Sequence, residues 1–183
     1  MKPFLSLALV VTALLVNLPP AFAQTPAAPE TQPAPSPPAP TTPLAPPVLD
    51  FGDHSSSTLT SKAWDAFNAK NQPAAQGYAK KCIELYQAKA VEMQKAIAPA
   101  PLTVKEEIQK SWALNDVGTS YFVLGQSLAA EGKAKDAAAA FKFLVENLSL
   151  AQCWDTKGWF WKPADAARER AKALEFEALD EAK

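Results

Sequence analysis

From about Thr60 to the C-terminus, apolar residues recur every three or four positions among Lys, Glu, Gln and Asp, the spacing that gathers them on one face of an α-helix. Proline and glycine divide this pattern into five expected helices. The first covers about 61–70, with Thr60 or Ser61 as N-cap and Ala63, Trp64 and Phe67 inward. Pro73, suited to a first helical turn, opens the second. It runs to about Ile97 through Ala75, Tyr78, Ala79, Cys82, Leu85, Tyr86 and Ala90, and Pro99-Ala100-Pro101 stops it. Thr103 followed by Glu106 reads as a capping box opening a third helix that reaches about Glu131, with Val117, Tyr121, Leu124 and Leu128 as its core stripe. Gly132 closes it. The fourth spans about 134–148, with Ala137, Ala138, Phe141, Leu144, Val145 and Leu148 inward. The fifth begins at Pro163 and Asp165 and ends near Ala182, burying Ala167, Ala171, Leu174 and Ala178 while Arg168, Glu169, Lys172 and Glu175 face solvent. The expected fold is all-α, built of antiparallel helix pairs joined by short turns.

The N-terminal section breaks this pattern. Lys2, an apolar run over 4–18 and Ala21-Phe22-Ala23 have the parts of a secretory signal peptide, with cleavage expected after Ala23. About fifteen apolar residues fall short of the roughly 20 that span a bilayer, so no stable membrane span is expected after cleavage. Residues 24–50 read as a Pro/Ala-rich disordered linker. Ten prolines fall within 24–47, which holds no aromatic residue and therefore cannot build a core. Such a tether extends on the order of 3 Å per residue. The expected organisation is signal peptide 1–23, linker 24–50 and helical domain 51–183, in a periplasmic or secreted protein.

Charge and motif content narrow the function. With 18 basic against 19 acidic side chains, nothing argues for nucleic acid or an anionic lipid surface. His54, the one histidine, stands beside Asp53 and Ser55 at the linker end, where no packed scaffold is expected to hold a triad. Neither metal-ligating clusters nor phosphate-binding glycine loops are present, so no catalytic residue, cofactor or metal is assigned. Glu106 and Glu107 are adjacent and point different ways on a helix, which does not suit paired-carboxylate hydrolysis. Asp116 interrupts an apolar stretch close to Trp112, and either bonds to a neighbouring helix or lines a groove. Cys82 is expected to pack inward. Cys153 lies one structural unit further on, and a disulfide needs Cα atoms within about 7 Å, so a bridge between them stays an open alternative.

Tyr121-x2-Leu124-Gly125-x2-Leu128, followed by Gly132, Ala137 and Phe141, resembles the tetratricopeptide pattern of small residues where two helices approach and large ones that fill the gaps. Ala63, Ala75 and Cys82 repeat it more faintly. Ala75 and Ala137 stand further apart than one repeat, which requires lengthened helices or irregular chain between them. The resemblance implies a short right-handed stack of helix pairs, a C-terminal capping helix, and a concave surface binding a protein or peptide partner. It places partner contacts along the third helix, at Lys110, Asn115, Thr119 and Gln126. The C-terminal part is also similar to bacterial tetratricopeptide-type proteins labelled β-glucanase precursors, a likeness that carries over no catalytic residue.

The segment AQCWDTKGWFWKP, 151–163, concentrates Trp154, Trp159, Phe160 and Trp161. Fully exposed, four such rings would present roughly 600 Å² or more, above what a soluble monomer ordinarily leaves bare. Two readings stand. The segment plugs the space between the fourth and fifth helices, with Asp155 turning the loop, Gly158 taking a left-handed conformation and a lysine in solvent. Alternatively Trp154, Trp159 and Trp161 form a platform for cell-wall polysaccharide.

Overall fold

The computed structural model describes residues 48–155 and 157–181. The expected signal peptide and the proline tract up to Pro47 lie outside the described residues. What is described is an all-α body of six helices with one two-residue hairpin: α1 (Ser56–Asn68), α2 (Gln72–Ile97), α3 (Lys105–Lys110), α4 (Trp112–Ala130), α5 (Ala134–Asn147), the strands β1 (Cys153–Trp154) and β2 (Phe160–Trp161), and α6 (Pro163–Glu181). α4 is the central element, packed against α1, α2, α5 and α6, and neighbouring long helices run antiparallel.

α1 begins five residues earlier than expected because capping is supplied upstream. The Ser55 hydroxyl accepts from the Thr58 amide, and the Asp53 carboxylate in turn holds the Ser55 amide and hydroxyl at 3.0 and 2.8 Å. Thr60 is therefore interior to the helix, its hydroxyl donating to the Asp116 carbonyl of α4 at 3.2 Å. The approach to α1 is fastened as well. Leu49 packs over Gly77, where a β-carbon would collide with it, Phe51 lies edge-on to Tyr78, and the Tyr86 hydroxyl donates to the His54 carbonyl at 2.9 Å. His54 is thus anchored through its backbone, in a left-handed conformation at φ 61°, with an exposed side chain.

α2 starts where Asn71 caps the Ala74 amide and extends over 26 residues, which accounts for part of the separation between Ala75 and Ala137. Its inward residues Ala75, Ala79, Cys82 and Ala90 are fully buried, but Leu85 is exposed, because at that turn the core-facing stripe passes through Cys82 and Tyr86. The expected single helix over 103–131 is two helices. Val104, in an extended conformation, occupies the N-cap position of α3 without a side-chain cap, so the Thr103/Glu106 box does not form. At Ser111 the helix breaks. The Ile108 carbonyl accepts instead from the Ser111 amide and from the Asn115 side-chain amide, the latter at 2.7 Å, a side-chain bond that competes with helix continuation.

The core sits where α4 meets α2 and α5. Val117, Tyr121, Leu124 and Leu128 are buried, as are Ala137, Phe141 and Leu144 of α5 and Leu148 at its C-cap. Two glycines set the spacing of these helices. A β-carbon on Gly125 would run into the ring of Phe141, and one on Gly118 would lie 2.6 Å from the Ala151 methyl. α6 buries Ala167 and places Ala171 and Leu174 at the edge of the core, while Arg168, Glu169 and Lys172 are exposed. Ala178 and Glu175 lie outside the described side chains.

Candidate functional site: an aromatic groove between α1, α4 and the hairpin

The 151–163 segment folds back as a hairpin, pairing Cys153 with Trp161 and Trp154 with Phe160. Asp155 makes the turn: its carboxylate accepts from the Lys157 amide at 2.8 Å, its carbonyl accepts from the Gly158 amide, and its amide donates to the Trp159 carbonyl. Gly158, at φ 101°, takes a conformation that L residues rarely adopt. Asn115 ties the hairpin to α4. Its side-chain oxygen accepts from the Gln152 amide at 2.9 Å while its amide nitrogen holds the α3/α4 break. Gln152 reaches in turn to the Leu102 carbonyl at 2.8 Å.

Between this hairpin, α1 and α4 lies a groove of about 900 Å³. Trp64 of α1, Trp112 of α4, and Trp154 and Trp161 of the hairpin line it, together with Phe122 and Phe160, so four of the chain's five tryptophans converge there. The rings do different work. Trp161 lies edge-on to Phe122 and Trp64, with centroids 5.3 and 6.4 Å apart, and joins the core. Trp154 stays about half exposed beside Phe160, with the Lys105 ammonium 4.7 Å from its centroid. Trp159 projects at the hairpin tip with the Lys157 ammonium above it, outside the groove. Trp161 therefore plugs the face of α1 and α4 rather than the expected space between the last two long helices, because α5 and α6 pack directly on each other, while Trp154 stays an open aromatic wall.

Most polar atoms of the inner wall are already engaged. The Thr119 hydroxyl donates to the Asn115 carbonyl at 2.8 Å and lies 2.7 Å from the Cys153 sulfur. Thr60 contacts the Ser120 hydroxyl and the Cys82 sulfur. Both cysteines are free thiols. Burial pushes the Cys153 thiol up to about 12, against the lowering contact with Thr119 and with the Asp116 charge adding to the rise. Cys82 is raised by burial too. Neither is a thiolate near neutrality, so the pair makes poor nucleophiles. Asp116 is the exception among the satisfied groups. Ser56, one helix away, donates to its Oδ2 at 2.5 Å, and burial outweighs that bond and raises the carboxyl above its ordinary value. Among the described residues Asp116 has no cationic partner, and no group of three or more His, Cys, Asp or Glu is placed to hold a metal.

Of the residues predicted on α3 and α4, Asn115 and Thr119 line the groove. Lys110 is exposed on α3, bordering a separate depression of about 240 Å³ with Met93 and Leu102. Gln126 lies further along α4, half-buried and outside the groove lining. Asp116 does both things expected of it, bonding α1 and lining the groove. The α1 wall of Ser57, Ser61, Trp64 and Asn68 was not anticipated. Its signal is the i, i+4, i+7, i+11 spacing of residues on the side opposite Leu59 and Ala63. Comparison of the chain with family models, curated proteins and solved structures finds no match.

Proposed function

We propose that this is an exported, non-catalytic tetratricopeptide-like interaction module of the periplasm or extracellular space, and that the groove seats a segment of a protein or peptide partner. The observation that carries the reading is the convergence of four tryptophans on one groove whose polar wall is mostly satisfied from within. A ligand there gains mainly by covering ring surface, which suits the side chains of a peptide. The arrangement of small and large residues supports the family reading: Gly125 admits Phe141 at the α4/α5 contact, and Ala63 and Ala75 are fully buried in the α1/α2 pair. α1 and α4, the first helices of those two pairs, supply most of the helical lining of the groove. In this reading α6 is the cap.

The half-exposed Trp154 and Trp159 favour a second reading, a carbohydrate-associated accessory that uses the hairpin as a stacking platform. Selection of a displayed random peptide library on the full chain separates the two. The peptide reading predicts binders whose affinity falls at least tenfold with Ser61→Arg, which fills the groove mouth, and is unchanged with Glu92→Arg on the exposed side of α2. Tryptophan emission that responds to soluble glucans and loses its response with Trp154→Ala, with no groove-dependent peptide recovered, would replace it with the carbohydrate reading.

A further inference from the structure

We propose that the groove recognises a basic side chain of the bound segment, a lysine or arginine seated against the Asp116 carboxylate among the tryptophan rings; this rests on the peptide-binding reading above. Charge complementarity identifies the occupant. The charged residues that line the groove are Asp116 and Asp155, and no lysine or arginine among the described residues lines it. Asp155 sits at the hairpin turn, where its Oδ1 accepts from the Lys157 amide, away from the α1 and α4 walls. Asp116 has one described donor, the Ser56 hydroxyl on Oδ2, and Oδ1 accepts no described bond.

Asp116 is half-buried, and no buried side-chain oxygen among the described residues lacks a hydrogen bond, so Oδ1 is open to the groove, where a carboxylate partly withdrawn from water gains from a donor or cation that reaches it. The same walls favour a cation, because an ammonium or guanidinium is attracted to the faces of tryptophan rings. Trp64 and Trp112 border the groove on the two helices that hold Ser56 and Asp116. An anionic group would meet two carboxylates and no cation on this lining, and a neutral sugar could donate hydroxyls to Asp116 but would bring no opposite charge to it. The neighbouring thiols do not compensate the charge, since both stay protonated near neutrality. The known cation near the rim, Lys105, is placed over Trp154.

A double-mutant cycle on the full chain tests this. The probe is a synthetic peptide from the library selection, paired with a version in which its lysine or arginine is replaced by norleucine. The protein variants are wild type and Asp116→Asn, whose side-chain oxygen still accepts from Ser56. Either change alone is expected to weaken binding roughly tenfold or more, and both together no further than one. Asp116→Glu, which keeps the charge, is expected to retain a preference for the basic peptide, and this variant keeps the test informative should the asparagine protein fold poorly. Groove-dependent peptides that lack a basic residue, or independent effects of the two changes, would overturn the cation site and leave the peptide reading standing. Recovery of no Ser61-sensitive peptide, with or without a glucan response, would overturn both.

Discussion

At Asp116 the proposed role in binding and the stability of the fold pull in opposite directions. Burial raises its carboxyl, so the folded state holds the proton more tightly than the unfolded chain does. The contribution from protonated Asp116 is fully present below the unfolded value near 3.8 and is lost as pH rises through the raised folded value. Asp116→Asn should therefore raise the melting temperature at pH 7, with the gap over wild type closing as pH is lowered toward 4. A melting temperature lowered at pH 7 would show that the charged form stabilises the fold. Gly125 makes the complementary packing case. Its missing β-carbon is the space the Phe141 ring occupies, and Gly125→Ala should lose about 1–3 kcal/mol in a urea titration through overpacking.

Among the elements, the hairpin and the α3/α4 break depend on one another through Asn115. Its amide holds the Ile108 carbonyl and its oxygen the Gln152 amide, so Asn115→Ala strips a partner from each end of this link. A loss of about 1–3 kcal/mol is expected in the same titration, with faster hydrogen exchange at the Gln152 amide. The hairpin's aromatic residues should separate by role. Trp161→Ala should destabilise by about 2 kcal/mol, below the roughly 3–5 of a fully buried ring, and Trp159→Ala should stay within about 0.5 kcal/mol. Equal effects would mean that the tip is packed as firmly as the base.

These elements also show where sequence reasoning stops. α2, α5 and the start of α6 were legible because their apolar stripes are long and end at Pro, Asn or Gly. The break at Ser111 was not, since the apolar pattern continues across it and what ends the helix is the Asn115 side chain reaching back by seven residues. Capping by Ser55 was hidden because Thr60 and Ser61 offer the same chemistry a turn later. Strands of two residues are too short to leave any periodicity, although the turn chemistry of Asp155 and Gly158 was visible.

At the level of the molecule, the groove draws its walls from α1, α4 and a hairpin that begins at Cys153, 85 residues after α1 ends at Asn68. Asn115, Thr119, Trp154 and Trp161 could each be picked out along the chain, yet their convergence with Trp64 could not, because Trp64, next to Ala63 in the chain and one turn before Phe67, reads as core. Tertiary contact with Phe122 and Trp161 makes it a wall instead. Hydrogen exchange of the full chain with and without a selected peptide tests the assignment of this groove as the binding surface. Protection confined to 56–68, 112–122 and 152–161 is the expected result. Protection centred instead on the α5/α6 face around Val145 and Lys172, with the α1 and hairpin amides unchanged, would contradict it.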